Sequence, residues 1–384
     1  MSDSLRFWRT FIYSAAAALV LAGVAMAWDS EHGFTKLPRF GTALAAQSLP
    51  SIQSLPLALY NGSGYDGQYY AQLAINPDVR SPEVQAAMDN ARYRGQRILL
   101  PLVAHLLGAG NPWWTLQVYS LLNVAFWIAL AWLLHVLTAA GGLTGLARWS
   151  VAMLGLGVLE SVHLALTDLP AMVFIVGGMI CVQREQFWRA GALFAVAGLI
   201  RETSLLAAIA LAPVASKDWK LWSARSGPMI LAVLPVCLWA LFVRQSTSAI
   251  LPTSGVANFD WPGAAILRHL ADCIQTVLHG EPHYRHLFAP ALALGLAYQS
   301  FFIFKTARAT PNSWTLMGVS FAILFWFLGE NVWEGYWAVA RACLPMVLAY
   351  CLTIPVDRYF LWRLLLPNLC LVHGIMRFFS STAQ

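Results

Sequence analysis

Arg97-Ile-Leu-Leu-Pro-Leu-Val-Ala-His-Leu-Leu-Gly-Ala-Gly110 is the stretch whose reading decides the topology of the chain. It is apolar, but 14 residues make a helix of only about 21 Å. A full crossing of a bilayer needs about 20 residues. If the stretch crosses, Arg148, Arg184, Arg189, Lys217, Lys220, Arg225, Lys305, Arg308, Arg358 and Arg363 all fall outside. If it lies in the outer interface, all ten join Arg6 and Arg9 on the cytoplasmic side. Cationic loops favour the cytoplasmic face, so residues 97–110 read as an interfacial or re-entrant helix.

A membrane setting is forced by composition. Of 384 residues, 59% are hydrophobic and 11% charged, and mean hydropathy is +0.60. A soluble domain carries about 25% charge, so neither a water-soluble globule nor a disordered chain fits. Continuous apolar runs, in place of alternating ones, exclude a β-barrel. The fold class is all-α, a single polytopic membrane domain over 1–384 with ten or eleven spans. They are expected near 10–28, 113–137, 148–167, 169–184, 188–202, 203–216, 227–243, 288–304, 313–329 and 336–355, with a weaker one at 359–376. The net charge of +6 orients the chain and gives no reason to expect nucleic acid. The run ending Ala25-Met26-Ala27 also fits a signal peptide, but its length and the spans that follow favour an anchor with a cytoplasmic N-terminus.

With residues 97–110 in the interface, the outer face receives two long loops, 29–112 and 244–287. It also receives short connections around Asp168, Arg201–Thr203 and Glu330–Arg341. The first loop contains Asn61-Gly-Ser-Gly-Tyr-Asp66-Gly-Gln-Tyr-Tyr-Ala-Gln-Leu-Ala74. Asp66 either caps a short helix or serves as a general base at the membrane surface. Tyr65, Gln68, Tyr69 and Tyr70 around it suit sugar recognition. Arg92-Tyr-Arg94-Gly-Gln-Arg97 follows, and Arg94 and Arg97 could clamp a phosphate or could snorkel to head groups. Thr167-Asp168-Leu-Pro170 is a helix start by its cap and proline, and a site by its charge near a span. Arg201-Glu202 is either a self-neutralising pair or a phosphate-and-acceptor clamp. Glu334 and Arg341, seven apart, share one face if a single helix carries both.

His279-Gly-Glu281-Pro-His283-Tyr-Arg-His286 reads as a polar loop before it reads as a metal site, because Pro282 breaks any helix there. No metal ligands are assigned, and the cofactor is left unknown, since the sequence neither requires nor excludes a divalent cation. The six cysteines form no CxxC pair and read as small apolar packing, with Cys273 in a polar loop. No phosphate-binding glycine loop or G-x-S-x-G pattern is present.

Taken in order, these motifs resemble the GT-C membrane glycosyltransferases, and nearest the GPI-mannosyltransferase type, whose first loop reads roughly W-D-G-x-x-Y-x-x-I-A. Tyr65-Asp66-Gly67, Tyr69, Tyr70 and Ala74 match that run, with Tyr65 in place of the usual Trp. Residues 93–101, Tyr-Arg-Gly-Gln-Arg-Ile-Leu-Leu-Pro, are similar to a stretch in bacterial members that includes cell-surface glycopolymer proteins. Thr167-Asp168-Leu-Pro resembles the second acidic motif, and Arg201-Glu202-Thr203 the short basic outer turn. The likeness covers roughly residues 5–345.

The resemblance implies an inverting transferase in the bacterial inner membrane that moves one sugar from a polyprenyl-phosphate donor to a hydroxyl of a lipid-linked glycan, polysaccharide or protein. Asp66 would be the base, with Asp168 the second acidic residue. Arg201 and Arg341, backed by Arg94 and Arg97, would hold the donor phosphate. Tyr65, Gln68, Tyr69, Tyr70, Glu202 and Glu334 would contact substrate. A lipid-linked saccharide transporter and a non-catalytic assembly subunit are the competing readings. Impermeant thiol labelling of cysteines placed at Ser63 and at Asn111, in a cysteine-free background, is expected to show the same outer accessibility. Labelling of position 111 from the cytoplasm alone would make residues 97–110 a crossing and separate the motifs onto two faces.

Overall fold

Helices carry nearly all the secondary structure of the computed structural model, which describes residues 3–214, 218–247, 258–280 and 285–380. The strands among the described residues are two parallel pieces of two residues, pairing Phe40 with Leu59 and Gly41 with Tyr60. Four helical segments are long and apolar enough to cross a membrane: Asp3–Met26, Pro112–Leu154, Trp219–Ser246 and Leu287–Ala309. A fifth arises if Tyr336–Ala342 and Leu344–Thr353, bent by 59°, act as one span. On Trp219–Ser246, Ala232, Val236 and Val243 are buried, while Leu234, Leu238 and Leu241 are about half exposed. A row of exposed leucines on one side of a helix is tolerated in lipid and is an aggregation hazard in water.

Among the described residues, each expected apolar run falls mainly on helix, but several are shorter or broken. The run 148–167 divides at Gly155 into Gly142–Leu154 and Leu156–His163. Asp168–Gln183, Phe187–Ile200 and Ser313–Phe327 have 16, 14 and 15 residues, about 21–24 Å each. The run 203–216 becomes a ten-residue 3-10 helix, Glu202–Leu211, after Arg201 turns to an extended conformation. Residues 97–110 form the nine-residue helix Leu99–Leu107, about 13 Å long and too short to cross. Its Leu100 and Ala104 are buried while Leu106 and Leu107 are exposed, the two-sided pattern expected at an interface.

The second loop departs from expectation at Cys273. Residues 264–278 form a helix, Ala264–Leu278, in which Cys273 is buried and not in a polar loop. Ala265, Ile266 and Cys273 are buried on it, but Arg268, His269 and Asp272 interrupt the apolar run between them, so no continuous hydropathy marks the helix in the sequence. Of the His279–His286 stretch, Glu281 to Tyr284 lie outside the described residues.

The helices run so that the interhelical turns near Asp168, Arg201 and Arg341 meet the first loop. The turn 164–167 is tight, with Ala165 at φ 47°. Side chains of Pro112–Thr138 hold it: Tyr119 donates to the Ala165 carbonyl at 2.6 Å and Asn123 to that of Leu166 at 3.0 Å. These residues are i and i+4 on one helical face. At the other ends of the helices, cationic side chains cap carbonyls. Arg9 donates to Ala139, Arg148 to Leu352 and Ile354, and Arg225 to Leu211 and Ala212.

The first loop is drawn onto this frame by its glycines and amides. Gly62 and Gly64 take φ of 96° and 71°, which glycine adopts without strain. Gly67 opens the helix Gly67–Ile75, where a Cβ would stand 2.5 Å from the Leu164 carbonyl oxygen and 2.9 Å from that of Pro38. His105 ties the helix Leu99–Leu107 to the Ala74 carbonyl at 2.9 Å, and Trp239 donates to Gly95 at 2.9 Å. Gly67→Ala is therefore expected to lower stability by about 1–3 kcal/mol through overpacking, read as a fall in melting temperature. An unchanged melt would mean that the loop does not sit against residue 164.

Candidate active site

Asp168 is a deeply buried carboxylate of the site, its side chain 2% exposed. Neither it nor Thr167 caps the helix that starts there. Arg201 bonds one oxygen of Asp168, and Arg341 donates Nη1 to the other at 3.0 Å. Arg201 also donates Nε to Thr203 at 3.0 Å. Arg341 turns its Nη2 to the Tyr65 hydroxyl at 2.9 Å, where the Trp337 indole also donates at 2.8 Å. Three helix junctions and the first loop thus converge on one carboxylate. Removing one partner of a buried ion pair costs about 3–5 kcal/mol, so each residue constrains the others.

Asp66 follows Tyr65. Its backbone begins the helix Gly67–Ile75, but its side chain makes no cap. Oδ1 instead accepts from Arg94 Nη2 at 2.8 Å. Arg94 is shared, since Asp89 takes its Nε at 2.9 Å and its Nη2 at 2.7 Å. Arg97 lies beside it, forked onto Glu202 at 2.8 and 2.6 Å. Tyr70 accepts from Arg97 at 2.7 Å and from Arg94 at 3.3 Å. Asp66 keeps 32% of its side chain exposed, against 5% for Arg97 and 8% for Arg94, so the carboxylate faces outward over a floor of guanidinium groups.

These neighbours set the protonation states. Burial raises the Asp66 carboxyl, but Arg94 and then Arg341 outweigh it and hold the group down at about 2. Burial lowers Arg94, and the Asp66 carboxylate with the hydrogen bond to Asp89 more than reverses this, so it stays cationic. Burial lifts Tyr69 and Tyr70 to about 12, which keeps both hydroxyls protonated.

Of the residues singled out by sequence, Tyr65, Asp66, Tyr69, Tyr70, Arg94, Arg97, Asp168, Arg201, Glu202 and Arg341 are brought together. Arg201 and Glu202 do not neutralise one another by a direct bond, for they point to Asp168 and Arg97 respectively. Gln68 turns inward: it accepts from Gly41 at 3.1 Å and donates to Ser63 at 2.7 Å, and so staples the loop. Tyr69 lies under Arg94, 4.8 Å from ring centre to guanidinium. Glu334 and Arg341 do not share a helix, because the chain breaks at Gly335. Glu334 instead lines a cleft of about 470 Å³ with His269, Asp272 and Thr276.

Asp89, Glu160, Trp337 and Arg377 belong to the cluster without having stood out in the sequence. Glu160 has a signal, since an acidic residue inside the apolar run 148–167 marks a site by default. Asp89 in a polar loop and Arg377 in a weak terminal helix have none. Arg39 and His163, joined at 2.9 Å, complete the cluster. The assembled groups can bind an anion, orient a hydroxyl and accept a proton at Asp66. Comparison with known protein families, curated proteins and solved structures finds no match for the chain.

The depressed carboxyl of Asp66 has a consequence for stability. A group whose pKa is lower in the folded than in the unfolded state stabilises the fold above the unfolded value, near 3.9, and loses that contribution as pH falls through the folded value. The melting temperature of Asp66→Asn is therefore expected to lie below that of the parent at neutral pH. The gap should narrow as pH falls from about 4 towards 2. A gap that widened with acidity would contradict the pairing with Arg94.

Proposed function

We propose that this chain is a membrane glycosyltransferase that moves one sugar from a polyprenyl-phosphate donor to a hydroxyl acceptor on a lipid-linked glycan, polysaccharide or protein. The observation that carries the reading is the position of Asp66, outward-facing and a third exposed, on a bank of arginines of which two grip Asp168. Among the described residues, Arg39, Arg94, Arg97, Arg201, Arg341 and Arg377 stand with Asp66, Asp89, Glu160, Asp168 and Glu202. One cation is in excess, which suits a ligand that brings its own phosphate. The helices that end at this cluster place it at one end of the bundle, where a lipid-borne donor could enter from the side.

The broken helices are read together with the four long ones as a ten- or eleven-span GT-C-like bundle in a bacterial inner membrane. The N-terminus is cytoplasmic, and Asp66 is on the outer face. The capping of carbonyls by Arg9, Arg148 and Arg225 at the opposite end supports that orientation, since cytoplasmic ends are the basic ones.

In the reaction, the acceptor oxygen attacks the anomeric carbon as the bond from that carbon to the phosphate oxygen breaks, with inversion. The phosphate departs with the bonding electrons, and its growing charge is met by Arg201 and Arg341. The acceptor proton passes to Asp66. A carboxylate held at about 2 is a weak base, so Asp66 orients the hydroxyl first and takes the proton late, once the acceptor oxygen has become acidic by bonding. Arg97 and Glu202 form the wall beside it.

The purified protein is expected to incorporate labelled sugar from one member of a panel of polyprenyl-phosphate donors. Asp66→Asn should remain folded and monodisperse while transfer falls by about 10²–10⁴-fold. Asp66→Glu should recover little, since about 1 Å of misplacement costs about 10²-fold. Near-parental transfer by folded Asp66→Asn would remove Asp66 from the proton-accepting role. Movement of an intact lipid-linked saccharide across vesicles, with no transfer, would favour transport instead.

A further inference from the structure

The C-terminal helix Cys370–Ser380 lies beyond the motifs that define the site, yet it reaches them. Arg377 donates Nε to Glu160, a residue 2% exposed in a helix buried along its whole length. The Arg377 guanidinium also lies over Trp337, 3.8 Å from the ring centre. The Trp337 indole N–H is the group that donates to Tyr65 Oη at 2.8 Å. Tyr65 Oη is shared with Arg341, whose other nitrogen holds Asp168. A line of direct contacts therefore runs Glu160–Arg377–Trp337–Tyr65, and ends one residue before Asp66.

An indole ring has one N–H donor with a fixed direction, and the ring can rotate unless something fixes its plane. Gly335 precedes the helix Tyr336–Ala342, and the ring lies close over it, where a Cβ would stand 3.2 Å from Cε2, with the Tyr336 ring edge-on at 5.3 Å. The planar guanidinium supplies a second fixed plane, and Glu160 fixes the guanidinium in turn. Without the stack, the N–H would swing off the Tyr65 oxygen, and Arg341 would hold the tyrosine alone.

We propose that Arg377 is a positioning residue for Tyr65, acting through the indole of Trp337 and anchored by Glu160, and that the C-terminal helix thereby sets the approach of Asp66. The effect on transfer rests on the glycosyltransferase reading; the effect on Tyr65 does not. Two measurements separate them. First, 3-fluorotyrosine is placed at position 65 and its ¹⁹F resonance recorded in the full chain. Arg377→Met and Trp337→Phe should shift that resonance alike, and the double variant should show no further shift, because both changes cut one line of contacts. Arg377→Lys keeps the charge for Glu160 but not the planar stack, so it should melt like the parent and still shift the resonance. Arg363→Met, at the other end of the bundle, should leave it in place. Second, transfer is followed with the donor established for the parent. Arg377→Met and Trp337→Phe should each lower kcat by about 10- to 100-fold, with KM for the polyprenyl-phosphate donor unchanged.

An unmoved Tyr65 resonance in both folded Arg377→Lys and Trp337→Phe overturns the proposal whatever the activity. A raised KM with kcat unchanged also overturns it, since Arg377 would then be a ligand of the donor. A shifted resonance in a parent protein that transfers no sugar supports the positioning role and counts against the glycosyltransferase reading alone.

Discussion

The buried carboxylate of Asp168, gripped by Arg201 on one side and Arg341 on the other, is the constraint on which the site end of the molecule depends. A charge with 2% of its side chain exposed is tolerable only when paired and hydrogen-bonded. That requirement fixes three helix junctions relative to one another. The junction after Ile200 must turn extended to deliver Arg201, so the chain re-enters as a 3-10 helix. The helix Tyr336–Ala342 must end early and bend to deliver Arg341. The tight turn at Ala165 presents Asp168, and Tyr119 and Asn123 hold that turn. Tyr65 then hangs from Arg341, and the first loop takes its place. Apolar side chains of equal volume would have been easier to bury. Keeping three charges there specifies one arrangement where an oily junction would allow several.

The first loop shows the same logic with weaker restraint. Asp66 gives up helix capping, which a backbone beginning at Gly67 could have used, and turns to Arg94. Arg94 has a second carboxylate, Asp89, in bidentate contact. It can therefore leave Asp66 without becoming a bare charge. The exposed carboxylate and the sheltered guanidinium are separable in a way that the Asp168 trio is not.

The sequence carried the class and most of the site, and its failures have physical causes. Apolar runs located the helices because burial in lipid or protein demands them. They could not show the break at Gly155, which acts through backbone conformation within a run whose hydropathy barely changes, whereas the break at Arg201 was legible because two charges interrupt the run there. The short helix at 99–107 was legible from the length of the run together with charge bookkeeping. Asp66, Asp168, Arg201 and Arg341 were legible because charged residues in an apolar chain are few. Which of them pair was not, because pairing across 28 to 173 residues leaves no periodic trace. Gln68 read as a sugar contact because an amide beside an aspartate looks available, whereas the loop backbone had already claimed it. Glu160 carried a signal, a lone acid inside an apolar span, but no neighbouring motif to tie it to the site.

The short helices that converge on Asp168 bear on the surrounding bilayer. Asp168–Gln183 and Phe187–Ile200 span about 24 and 21 Å, against a hydrocarbon thickness of about 30 Å. Trp219–Ser246, beside them, is 28 residues long. A bilayer meeting this mismatch thins locally, at a fraction of a kcal/mol per Å. Both helices lie largely inside the bundle, with Trp188, Arg189 and Ala192 the exposed residues of Phe187–Ile200, so a dip in the head groups would be confined to that edge. On the proposed glycosyltransferase reading, a phosphate riding in the lipid layer would meet a thinner bilayer beside those exposed residues.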